Sequence, residues 1–333
     1  IHAIDAETGA TRWVAAAGKR DYPASTPAVS EEFVAVANGS TVYLLNSQDG
    51  SLIWERKVKG IPSGSAAIVN GQVLVTTLQG IVESYQIDNP AKLPILYRSR
   101  GSIHFSPTIT RTSVAWATDR GDVNLVIPGK QHILFRFMTN DPIAGPVAYL
   151  PPEQLFVATQ TGFLYSFDES HGDILWQYST GERVEQPPLV INGVAYLATK
   201  YGGMHAVDTV DGSLKWWASG VQQLVAATDA HLYGVTSDSF FVVLDISNGT
   251  LLTRIPAYEN DFVFTNTVSD RIYIGTRDGL VQCLHERGAA WPTIHSPEPA
   301  PESPPGEDGE PDAKEEPGEA PVDPFSGEKT DAA

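Results

Sequence analysis

Short apolar runs alternate with Gly, Asn and Asp along most of the chain, and this alternation is the dominant pattern. Residues 181 to 219 show the unit. Pro188-Leu189-Val190-Ile191 precedes the turn pair Asn192-Gly193. Val194 to Thr199 is a second run, Tyr201-Gly202-Gly203 reverses the chain, and Met204 to Val207 is a third. Asp208 to Gly212 turns again, and Ser213 to Trp217 is the fourth. Runs this short, bounded by such residues, predict β-hairpins. The layout returns at 22–58, 59–99, 100–138, 139–180 and 220–257. No segment keeps an apolar period of 3.6 between two turn signals, so the chain is predicted to be all-β and nearly free of helix.

The turn before each fourth run repeats a motif. Ala3-Ile4-Asp5-Ala6-Glu7-Thr8-Gly9-Ala10-Thr11-Arg12-Trp13 reads A-x-D-x-x-x-G-x-x-x-W, and Ala206 to Trp216, with Asp208 and Gly212, reads the same. Ser166 to Trp176 differs only in its first residue and keeps Asp168 and Gly172. Leu44 to Trp54 keeps Gly50 and Trp54 with Asn46 for Asp, and Val243 to Thr253 keeps Asp245 and Gly249 without the Trp. The glycines Gly9, Gly50, Gly129, Gly172, Gly212, Gly249 and Gly288 are spaced by 41, 79, 43, 40, 37 and 39 residues. The long interval is two periods, and its missing corner falls at Asp88-Asn89-Pro90. A period of about 40 residues is that of a propeller blade.

The motif has a physical reading. Asp accepts backbone N–H groups inside a tight turn. Gly supplies the positive φ that a side chain reaches only at a cost of about 1–2 kcal/mol. Trp emerges on the outer strand, where its ring buries roughly 150–250 Å² against the neighbouring sheet. Radial closure protects the sheet edges that an open row would expose. The predicted fold is therefore a β-propeller of four-stranded antiparallel blades, eight in number, with its first blade incomplete in this chain.

These corners resemble the tryptophan-docking motif of the pyrroloquinoline-quinone-like (PQQ-like) repeat family, over roughly residues 1 to 291. That family includes quinoprotein alcohol dehydrogenases and BamB-type lipoproteins of the bacterial outer-membrane assembly machine. The resemblance implies a ring of blades with the overall architecture of WD40 proteins. It speaks more strongly for fold than for chemistry.

Residues 1–15 supply only the last two runs of a unit, and Ile1 is not a start methionine. The sequence is expected to be truncated at its N-terminus, with any signal peptide or lipid-attachment cysteine upstream. The eighth unit, 258–291, has good early strands and a weak last one near Ala289-Ala290-Trp291-Pro292, which an upstream strand is expected to complete. The predicted organisation is a propeller over 1–291 and a disordered, acidic, proline-rich tail over 292–333.

Composition sharpens that division. The net charge is −18, and residues 296–333, with 12 acids and two lysines, carry −10 of it, leaving −8 for the body. The tail also holds nine of the 24 prolines and cannot bury enough apolar surface to offset chain entropy. It reads as a solubilising segment ahead of an arm for a basic partner. Neither part has the Lys/Arg footprint that nucleic acid requires. No run of 18 apolar residues suggests a membrane span. The single cysteine, Cys283, lies among apolar neighbours and is expected to be a buried core thiol.

Candidate chemistry is sparse. Quinoprotein enzymes of the resembling family carry a vicinal disulfide, a calcium site, a catalytic Asp and long loops that wall the quinone. One cysteine makes the vicinal pair impossible in this stretch, and the units here are near minimal length. No catalytic, cofactor-binding or metal residue is assigned. Asp5, Asp168, Asp208 and Asp245 belong to the corner. The eight histidines show no metal-ligand spacing, and His2 and His205 simply occupy equivalent repeat positions. Asp119-Arg120-Gly121-Asp122 reads as a hairpin turn, and the sequons at Asn38 and Asn248 fall in turns that the fold requires. Aromatics at Tyr258 to Phe264 and at Ile103-His104-Phe105 fall in loops between units, where they either pack between blades, the favoured reading, or anchor a partner.

The resemblance and the short loops imply a non-catalytic protein-binding scaffold of the bacterial cell envelope, located in the periplasm. It is expected to act as a monomer with envelope or outer-membrane assembly proteins as partners. The alternatives are a dehydrogenase using PQQ with calcium, and an extracytoplasmic sensor module.

Overall fold

The computed structural model describes residues 1–6, 8–256 and 262–295. Among them are 29 strands and no helix. They form eight antiparallel sheets in chain order, each a simple up-and-down meander. The second to seventh sheets, spanning 28–57, 67–98, 108–138, 148–179, 189–218 and 221–256, have four strands each. The first, 2–14, has two, and the eighth, 262–284, has three. In the sixth sheet the strands run Leu189–Ile191, Val194–Ala198, Met204–Asp208 and Leu214–Ala218, within a residue or two of the boundaries read from the sequence.

The first strands of the second to sixth sheets touch one another in succession, so the short inner strands share one side of the array. The middle strands of the third and fourth sheets are the most deeply covered, with every residue of Gln72–Thr76 and Asp122–Val126 buried, whereas those of the seventh sheet are partly buried. The fourth strands are more open: in Leu214–Ala218, Trp216 and Ala218 are buried while Leu214 and Trp217 are exposed, and Leu251–Pro256 is exposed throughout. Burial on both faces explains the unbroken apolar runs of the middle strands, and one-sided burial explains the mixed outer ones.

Among the described residues there is no single central core. Seven hydrophobic clusters each lie between two consecutive sheets. The largest joins the sixth sheet to the seventh through Tyr196, Met204 and Trp216 on one side and Leu224, Leu232 and Leu244 on the other.

Two expectations change near the C-terminal end of the described region. Cys283 is exposed, not a buried core thiol. Its strand, Val281–Leu284, pairs Cys283 with Tyr273, while Ile272 and Ile274 turn the other way into the seam with the seventh sheet. Apolar neighbours in sequence therefore did not mean burial, because Val281–Leu284 is the outermost strand of its sheet among the described residues and all four of its residues are exposed. Residues 292–295, assigned to the tail, stay with the body: Ile294 bridges Ser269 and the His295 amide donates to Val268 O. No fourth strand forms at 289–292, and Trp291 is exposed. Residues 296–333, and with them the tail expectation, lie outside the described residues.

Candidate interaction surface

Five corners share one geometry. The glycine amide donates to the carbonyl four residues earlier, in the pairs Gly9–Asp5, Gly50–Asn46, Gly172–Asp168, Gly212–Asp208 and Gly249–Asp245. Each of those Asp or Asn amides donates in turn to the residue after the glycine. A register shift sits in the strand that leads into each of the five corners, for example between Ala206 and Val207. The acidic or amide side chain closes the loop. Asp208 Oδ1 accepts the Val210 amide at 2.9 Å, Asp245 Oδ1 the Ser247 amide at 2.9 Å, and Asn46 Oδ1 the Gln48 amide at 2.7 Å. Bonds from the Val210 amide and then Lys215 hold Asp208 below the ordinary carboxylate range. The Ser247 hydroxyl and amide do the same for Asp245. Asp168, His171 and Asp173 cluster in one corner, where Asp168 is spent on the His171 and Asp173 amides.

The corner also receives a ring from the preceding sheet. Trp13 Nε1 donates to Ser47 O at 2.8 Å, Trp54 to Ile87 O at 3.2 Å, Trp176 to Thr209 O at 2.9 Å and Trp216 to Ile246 O at 2.8 Å. Trp13, Trp54 and Trp216 are buried and Trp176 partly so. The indoles of Trp13, Trp176 and Trp216 lie over Gly50, Gly212 and Gly249, in space that a Cβ would enter. The sequence missed two members of this series. Tyr97 donates its hydroxyl to Lys130 O at 2.6 Å, and Phe135 lies over Gly172. Register identifies Phe135, since Trp54 pairs with Leu44, Phe135 with Leu125 and Trp216 with Ala206, whereas Tyr97 pairs with Val82, two residues nearer the inner turn, and joins the series through its hydroxyl bond alone. Gly129 and Gly288 have positive φ but lack the shared corner bond.

With the corners committed to joining sheets, the opposite end of each sheet carries the free chemistry. There the turns between second and third strands meet the loops that lead into the next sheet. Val58 N donates to Ser40 O, Ser99 N to Gly80 O, Thr139 N to Gly121 O and Thr180 N to Gly162 O. The Asp119-Arg120-Gly121 turn belongs to this series, between strands Val114–Ala117 and Asp122–Val126. Ile103 is buried between sheets, whereas His104 is half exposed and lies 3.7 Å from Asp119. Phe262 and Phe264 are exposed, and Tyr258 to Asp261 lie outside the described residues.

Relief on this end spans the loops of the fifth to seventh sheets. A cleft of about 480 Å³ is lined by Glu185, Gln186, Thr199, Lys200, Tyr201, Gln222 and Ser237. Glu185 pairs with Lys200 at 2.9 Å and with Arg183 at 3.1 Å. The hydrogen bond with Lys200 lowers the Glu185 carboxyl and raises the Lys200 ammonium. Tyr201 stands 80% exposed with the Lys200 ammonium 5.6 Å from its ring centre. Ser237 also borders a second cleft, about 660 Å³, which runs along the outer strand of the sixth sheet between Asp238 and Gly249. Trp217, half exposed, and Leu251 line it, and Arg254 crosses it to bond Asp238 while lying over the Phe240 ring. Its charges are paired among themselves, so the surface offers aromatic and aliphatic anchors within a neutralised polar border. That is the composition of a protein-recognition patch.

Radial sheets joined by ring-on-corner docking define a β-propeller of the quinoprotein-like repeat type. The comparisons are specific within that class. The family described as outer membrane protein assembly factor BamB matches residues 1–123 and 113–299, and the chain belongs to this family. The BamB protein of Moranella endobia is 20% identical over 314 residues, covering 82% of this chain and 79% of that protein. The BamB of Shewanella oneidensis is 22% identical over 258 residues, covering 71% of this chain and 64% of that protein. Among solved structures, BamB from Moraxella catarrhalis aligns with a TM-score of 0.69 at 14% identity, over 84% of this chain and 87% of that one. The C-terminal WD40 domain of Sif2 aligns with a TM-score of 0.66 at 10% identity, over 84% of this chain and 86% of that one.

Proposed function

We propose that this protein is a non-catalytic scaffold of the bacterial cell envelope that binds proteins taking part in outer-membrane assembly. The observation that carries the reading is the family match, which extends over nearly the whole described body. The geometry supports it. The acids that recur along the chain are consumed by their own corners, and the loop end carries exposed anchors beside paired charges. Tyr201 and Trp217 are the side chains through which a partner peptide would be held. The reading includes no quinone: the sequence has one thiol, so a vicinal disulfide to pack against it cannot form within this chain.

The test is capture from bacterial envelope fractions with the tagged chain as bait, followed by mass spectrometry. Enrichment of outer-membrane assembly proteins, reduced at least tenfold by a Tyr201→Ala, Trp217→Ala double substitution, supports the reading. Capture of no envelope protein, together with a thermal shift on adding PQQ and calcium, would overturn it in favour of the quinoprotein alternative.

A further inference from the structure

Six of the seven seams between sheets are closed by a ring from the outer strand of the preceding sheet: Trp13, Trp54, Tyr97, Phe135, Trp176 and Trp216. The seventh seam, between the sheets 221–256 and 262–284, has Thr253 in that place, paired with Val243 and exposed. Gly288, in the facing turn, has no atom within 4 Å of where its Cβ would stand. The apolar cluster at this seam contains four buried residues, Val225, Ala226, Ile272 and Ile274, against thirteen at the seam before it.

A carboxylate takes the place of the ring. Glu286, in the turn after strand Val281–Leu284, accepts the Tyr233 hydroxyl at 2.5 Å, faces His231 Nδ1 at 2.6 Å and accepts the Thr228 hydroxyl at 3.3 Å. All three partners belong to the seventh sheet or the turn leading into its second strand. Glu169 does something similar at the seam between the fourth and fifth sheets, where it accepts Thr110 and Thr112, but there Phe135 is docked beside it. At the last seam the carboxylate stands without an outer-strand ring, although Tyr233 and Phe241 of the seventh sheet pack into the apolar cluster there.

We propose that Glu286 is the catch of a polar latch, and that residues 262–284 swing away from the seventh sheet as a unit while the ring-docked seams stay shut. The hinge is the inner side of the seam. There Asn266 N donates to Val225 O at 2.7 Å and Thr265 Oγ1 to Leu224 O at 2.8 Å, joining strand Phe262–Phe264 and the residues after it to strand Val221–Ala227. The physical asymmetry lies in what water does to each kind of seam. An undocked indole exposes apolar surface that water does not compensate. Glu286 and His231 are each already about a third exposed, so water replaces their partners as the seam parts. The latch is independent of the identity of any partner.

Hydrogen exchange on the whole chain tests it. Amides of Ile272–Gly275 and Val281–Leu284 are expected to exchange at least tenfold faster than those of Gln154–Ala158 and Val194–Ala198. Glu286→Ala is expected to widen that gap about tenfold by accelerating exchange in 262–284 alone, and Thr253→Trp to narrow it. Equal protection of the eighth sheet and the central sheets in the unaltered protein would overturn the latch. So would a Glu286→Ala effect spread evenly over all sheets, or a Thr253→Trp protein with unchanged exchange.

Discussion

Gly249 leaves the space that Trp216 fills: a Cβ on Gly249 would lie 2.5 Å from Cε3 of that indole. The same glycine sits at φ +73°, and its amide closes the corner on Asp245 O at 2.8 Å. One residue thus serves turn geometry and the seam between two sheets together.

Gly249→Ala and Gly9→Ala separate these roles. Gly9 has the same turn conformation, φ +70°, but nothing within 4 Å of a Cβ position. Gly9→Ala should cost only the conformational term, about 1–2 kcal/mol. Gly249→Ala should cost a further ~1–3 kcal/mol from displacing the indole. Urea unfolding of the two variants, followed by tryptophan fluorescence, measures the difference.

The docking series also ranks its rings. Trp54→Ala should destabilise by about 3–5 kcal/mol through loss of the buried indole. Tyr97→Phe keeps the ring and removes only the hydroxyl bond to Lys130 O, a loss of about 0.5–1.5 kcal/mol. An equal effect of the two substitutions in calorimetry would contradict a common docking role.

Acid should loosen the corners. Asp208 and Asp245 titrate below their unfolded values because the folded turn bonds their charged forms. Their contribution is complete above the unfolded value, about pH 4, and is lost as pH falls through the lower folded values. Unfolding midpoints measured from pH 5 to pH 2 should fall, and Asp208→Asn should flatten that fall. Asn46 already holds the equivalent corner without a titrating group, bonding the Gln48 amide at 2.7 Å.

Tyr201→Ala should leave stability within about 0.5 kcal/mol, since the side chain is 80% exposed. Its effect should appear in partner capture, where binding weakens while the melting temperature holds. A fall in melting temperature matching the loss of capture would assign Tyr201 to the fold.

The fold was legible because each turn carries its own chemistry. Asp208, Gly212 and Trp216 announce a corner within nine residues, and the register then follows. Tyr97 and Phe135 were not legible: their corners lack the Asp and the aligned Gly, and only strand pairing for Phe135 and the hydroxyl bond to Lys130 O for Tyr97 reveal their place. Glu286 was illegible for a different reason, since its partners lie more than 50 residues away on another sheet. Cys283 shows the limit of local apolar context, because composition does not say whether a strand lies inside its sheet or at the edge, where Val281–Leu284 is exposed throughout.

Seven small cores in place of one large one have a consequence for divergence. A substitution at one joint must satisfy only the two leaflets that meet there. Drift can therefore proceed joint by joint, with Tyr, Phe or even Thr standing where an indole stands elsewhere. This offers a physical route by which relatives differ at four positions in five while the wheel keeps its outline.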